Sequence, residues 1–255
     1  MCLILVMSAA QAAPPKPQDS TTMLDKTYDL LLSGDSFQAI DLIERPDDPL
    51  EVIGIYDGLV RELYSKKKDV PRMLLIGRAG VRYGLSQAAA IEKDDAVLAA
   101  KLKGAAKTIS FNLSANAWPG WEDEGIEITA SDLVAGMDFA RLNLRLAKEL
   151  KRDDHVFANA HWLVGAHHLA AGQQQQAIEQ FTASVRRAIA ANNEATQQMS
   201  AGYVGIANRL RKSTCEEGDK QLAAAIAALK KIDNDDAKFF AGQLESVGKL
   251  FDKTR

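Results

Sequence analysis

The chain has 255 residues, of which 47% are hydrophobic and 25% charged, and its net charge is −3. These are ordinary globular proportions, so an unfolded chain, a collagen repeat and a multi-span membrane protein are excluded, and the charge supplies no general field for nucleic acid. Cys2 and Cys215 are too few for a disulfide scaffold.

The chain opens with a short apolar run, residues 2–7, that leads into Ala10-Gln11-Ala12, an A-x-A cleavage pattern. Ala13-Pro14-Pro15-Lys16-Pro17 follows as an extended stretch. The run is too short to cross a bilayer and lacks a basic flank. Residues 1–12 are therefore expected to be a truncated signal peptide, 13–21 a Pro-rich linker, and 22–255 a single helical domain. Export to a periplasmic or extracellular location follows; the alternative is an apolar tail on a cytoplasmic protein. Cleavage after Ala12 would remove Cys2, and Cys215 could then form no internal disulfide.

Beyond the linker, apolar residues recur at helical spacing. The first expected helix, 22–33, puts Met23, Leu24, Thr27, Leu30 and Leu31 on one face, and 36–44 follows a Gly34-Asp35 break. A helix at 50–67 carries Val52, Ile53, Tyr56, Leu59, Val60 and Leu63. Another at 71–83 carries Met73, Leu74, Gly77 and Val81, after which 86–90 begins a separate short helix and 94–113 forms a long one. Residues 114–129 contain Pro119, Gly120 and Gly125 and are expected to be a loop holding two of the three tryptophans, Trp118 and Trp121. A helix at 131–150 opens on Ser131 as N-cap, and further helices are expected at 154–171, 173–191, 195–212, 219–232 and 235–252. The only strand-like alternation is Ile126-Glu127-Ile128. The fold class is all-α, built of antiparallel helix hairpins joined by short turns.

One hairpin carries a spaced pattern. Gly165 and Gly172 lie seven apart, Ala177 follows five residues on, and Phe181 four further. A small residue at Gly165 lets paired helices approach, Gly172 ends the first helix, and Phe181 is a plug one turn beyond Ala177. Over residues 158–191 the pattern resembles the tetratricopeptide repeat. Gly77, Gly84 and Ala89 echo it with Lys93 in place of the plug, and Gly34, Ala39 and Ile43 match its second half. The resemblance implies an irregular α-solenoid that binds a protein or peptide on the face lined by first helices. On that face the best repeat offers Asn159, Trp162, Ala166, Leu169 and Ala170, mostly apolar, so the family's carboxylate clamp of lysines and asparagine is absent from it.

Arg78 and Arg82, four apart on one helix face, could meet an anionic group; a solvated basic edge is the alternative. Trp118 and Trp121 could form an aromatic platform or pin the loop onto the helices. His155, His161, His167 and His168 fall in one stretch, yet His161 and His168 stand two turns apart, roughly 10 Å along a helix and too far for one zinc. Glu122, Asp123, Glu124 and Glu127 lack calcium-loop spacing. Cys215 is read in a helix-linking turn among acidic neighbours, which disfavour a reactive thiolate. No catalytic motif is present, and no metal, cofactor, nucleic acid or membrane span is expected. The expected function is a non-enzymatic protein- or peptide-binding module. The alternative is a small-ligand or glycan binder that uses the Trp118/Trp121 loop.

Overall fold

A computed structural model describes residues 20–252. Among them the regular structure is entirely helical: α1 (Ser20–Leu32), α2 (Ser36–Ile43), α3 (Pro49–Ser65), α4 (Val70–Ile91), α5 (Ala96–Asn116), α6 (Ala130–Glu149), α7 (Asp154–Ala170), α8 (Gln174–Ala190), α9 (Glu194–Arg209), α10 (Cys215–Leu229) and α11 (Asp235–Asp252), with a single 3₁₀ turn at Pro119–Trp121. The expected signal peptide, its cleavage site and residues 13–19 of the linker lie outside the described residues. None of these helices is long and apolar enough to cross a membrane.

The chain forms two compact units. Unit 1 holds the described residues through Ile109 together with Trp121–Glu127; unit 2 holds Ser110–Gly120 and the described residues from Ile128 onward. The boundary falls inside α5.

In unit 1, α2, α3 and α4 each start from an aspartate N-cap, Asp35, Asp48 and Asp69, whose carboxylate accepts a first-turn N–H. Helices α3 and α4 pack antiparallel. A Cβ on Gly80 would stand 2.7 Å from the Tyr56 ring, and one on Gly84 would stand 2.2 Å from Ile53 Cδ1. Gly84 therefore marks a close helix contact rather than a stop. The helix expected to end at Tyr83 and restart at Ser86 is one continuous α4.

Unit 2 is built of helices that pack against their chain neighbours, α6 on α7, α7 on α8, α8 on α9, α9 on α10 and α10 on α11. Phe181 is fully buried, and a Cβ on Gly165 would lie 2.6 Å from its ring. Ser184 donates to the Ala158 carbonyl at 2.7 Å and sits 2.7 Å from Ser200 Oγ, which ties α7, α8 and α9 together. At the α9–α10 crossing a Cβ on Gly205 would lie 2.6 Å from the Leu222 main-chain nitrogen, and one on Gly218 2.2 Å from that of Arg209.

Three sequence expectations shift here. Helix α5 runs on through Ser114, Ala115 and Asn116, so the irregular segment starts at Ala117 rather than 114. The N-cap of α6 is Thr129, not Ser131: Thr129 Oγ1 accepts from the Asp132 N–H at 3.2 Å, and the Asp132 carboxylate accepts from the Thr129 N–H at 3.0 Å. This reciprocal pair is the favoured way to satisfy two orphan donors. Cys215 is the first residue of α10 rather than part of a turn.

Candidate functional site

The two loop tryptophans fall in different units. Trp118 is buried in unit 2, 1% exposed, and its indole N–H donates to the Ala166 carbonyl of α7 at 2.9 Å. Its ring covers Gly120, where a Cβ would stand 2.1 Å away. It meets Trp162 edge-on at 5.9 Å between centroids, and both rings contact Tyr203, which in turn packs on Phe181 at 5.0 Å. This knot of rings joins the end of α5 to α7, α8 and α9. Trp118 thus pins the segment and offers no open face. In unit 1, Trp121 is half-buried, and Asp123 accepts from the Tyr64 hydroxyl at 2.7 Å.

The end of α5 is held by a second buried contact. Near a helix C-terminus the last carbonyls lack intrahelical donors. The Trp118 N–H turns to the Ala115 carbonyl, and the Ser114 carbonyl accepts from His167 Nε2 at 3.0 Å. Since a carbonyl can only accept, Nε2 carries the proton, and Ser114 Oγ, 2.9 Å away, shares it. That tautomer leaves Nε2 unable to take a proton from Ser114, so the pair is not a nucleophile and its base. Nδ1 of His167 is buried with no hydrogen-bond partner among the described residues. Gly136 of α6 makes room for the ring, because a Cβ there would lie 2.4 Å from Cε1. Burial pushes the pKa of His167 down to about 4, against the opposing pull of the Ser114 carbonyl.

The other histidines go to separate partners. His155 lies 3.2 Å from Asn193 Nδ2, His161 Nδ1 2.9 Å from Gln180 Oε1, and His168 Nδ1 2.6 Å from Gln173 Oε1. Among the described residues no group of three or more His, Cys, Asp or Glu is placed to hold a metal ion.

Arg78 and Arg82 are both exposed on α4. Arg82 acts on the Tyr56 hydroxyl, which donates to Glu44 at 2.7 Å and is raised in pKa chiefly by burial, then by Glu44.

A grouping that sequence reading missed surrounds His161. Burial lowers its pKa; the Gln180 hydrogen bond opposes this, while Arg187, Lys148 and Arg186 lower it further. Cations of α6 and α8 therefore act electrostatically on one imidazole of α7. Arg187 pairs with Asp154 at 2.6 Å and lies over the Phe157 ring at 4.8 Å. The α6 part was visible as exposed cations at Arg141, Arg145 and Lys148, spaced four and three apart; the contribution of α8 needed the packing. Chemically the arrangement can hold anionic groups.

No protein-family model matches the chain, and a search of curated proteins finds no match.

Proposed function

We propose that the protein is a non-enzymatic helical scaffold, an irregular tetratricopeptide-like α-solenoid that is exported and binds a protein or peptide segment. The observation that carries this reading is the run α7–α10. Four helices pack in chain order as neighbours, and small residues lie at the contacts, Gly165 beneath Phe181 and Gly205 beside Gly218. Stacks of this kind bury a continuous core and leave helix faces free for a partner. The buried Trp118 speaks against the aromatic-platform alternative.

Cross-linking of the full chain in its native source, read by mass spectrometry, tests the proposal. One polypeptide partner, joined at sites confined to one helix face, is expected. A chain that carries no polypeptide partner and co-purifies only with a small molecule would refute it. N-terminal sequencing tests export: a start at Ala13 is expected, and a chain that retains Met1 refutes it.

A further inference from the structure

Helices α6 and α8, both packed on the helix that carries His161, are rich in exposed cations. The outward stripe of α6 carries Arg141, Arg145 and Lys148, and Arg152 continues it in the turn to α7; all four are exposed. Arg186 and Arg187 on α8 are exposed too, and both bear on the same imidazole as Lys148. Internal compensation is thin. Arg145 meets Glu149 at 3.4 Å and Arg187 meets Asp154, whereas Arg141, Lys148, Arg152 and Arg186 form no ion pair among the described residues. Cations in the last turn of a helix suit its dipole, which accounts for Lys148 and Arg187. Arg141, two turns before the end of α6, lies outside that effect.

We propose that this face of α6–α8 docks an acidic polypeptide segment, whose carboxylates are held by Arg141, Arg145, Lys148 and Arg186. The inference rests on the scaffold reading and names the partner's chemistry. Guanidinium groups take carboxylates two-pronged, so separate arginines suit side-chain carboxylates set along a peptide. A nucleic-acid backbone presents a continuous charge row. Here Asp138, Glu149 and Asp154 interrupt the cations, and the chain as a whole is at −3. The Phe157 ring beneath Arg187 and the Gln180 amide beside His161 add apolar and hydrogen-bonding contacts of the kind a peptide uses.

Binding and protonation are linked at His161. The groups that face it are Gln180, Arg186 and Arg187 from α8 and Lys148 from α6. A carboxylate brought among these cations offsets them, so the His161 pKa rises on binding and mild acid tightens the complex.

The test is fluorescence anisotropy of a labelled peptide of about 12 residues, rich in Glu and Asp, with the full chain at low and moderate salt. The variant Arg141→Ala/Arg145→Ala/Lys148→Ala is expected to bind roughly tenfold more weakly or worse. A control with the same charge change on exposed cations elsewhere in unit 2, Lys212→Ala/Lys220→Ala/Lys238→Ala, should stay within about twofold. Glu149→Gln/Asp154→Asn releases Arg145 and Arg187 and is expected to tighten binding severalfold, a gain that damage to folding cannot produce. The His161 ring proton signals should titrate at higher pH with peptide present. Absent binding, equal losses in patch and control variants, or tighter binding of a DNA oligonucleotide or of anionic vesicles than of the peptide overturns the proposal. A native partner cross-linked to another face overturns this assignment and leaves the scaffold reading standing, whereas the absence of any polypeptide partner removes both.

Discussion

Acid should loosen unit 2 through one side chain. His167 is fully buried, and its pKa falls from the ordinary 6.5 to about 4. Between those values the unfolded chain binds a proton that the folded chain excludes, so stability rises with pH across the window. The contribution is fully present above pH 6.5 and is lost as pH falls through 4. A separation of this size corresponds to about 3 kcal/mol in full, of which about 2.5 kcal/mol is gone by about pH 4.5. Urea unfolding followed by tryptophan emission measures it, with the native chain and His167→Gln compared near neutrality and at about pH 4.5. Glutamine keeps an N–H for the Ser114 carbonyl and does not titrate. The variant should be about 1 kcal/mol less stable near pH 7, through poorer packing. It should then lose about 2.5 kcal/mol less on acidification. His161, also lowered, and the carboxylates act in both proteins and cancel in the comparison. Equal acid losses in the two proteins would refute the assignment of this dependence to His167.

Phe181→Ala empties a fully buried site against Gly165 and should cost about 3–5 kcal/mol in chemical denaturation. Gly205→Val drives a side chain into the main chain of α10, which cannot swing aside, so thermal unfolding should shift down by well over ten degrees or soluble protein should be lost; a shift of only a degree or two counts against the close crossing. Trp118→Phe keeps most of the ring packing but drops the bond to the Ala166 carbonyl, with an expected loss of about 1–3 kcal/mol by urea titration.

The helices were legible because their apolar stripes are regular, and the all-α architecture follows from them. The errors fall where tertiary contact overrides local signals. Gly84 looks like a break in isolation, yet Ile53 fills the space that its missing side chain leaves, and α4 continues. Ser114 and Asn116 look like loop residues, but the imidazole of His167, more than fifty residues on, takes up the Ser114 carbonyl at the helix end. Trp118 and Trp121 are three apart in sequence and belong to different units, so their shared platform could not be judged from spacing. The cations around His161 come from two helices, α6 and α8, and only the α6 stripe has a linear signature.

The paired glycines of α9 and α10 have a consequence for alignment. Gly205 and Gly218 let one backbone rest on the other, and the neighbouring positions carry side chains that cannot. Sliding α10 along α9 by a single residue would bring Glu217 or Asp219 onto the spot that admits only hydrogen. The two helices therefore have one permitted offset and no graded alternatives, like a key with a single notch. Arg209, one turn beyond Gly205, reaches Asp219 at 3.0 Å and Asp252 of α11, so charge pairing selects the same offset and extends it to the last helix. An insertion or deletion within this stretch cannot be absorbed by slippage; it must bulge out of a helix or unseat both partners.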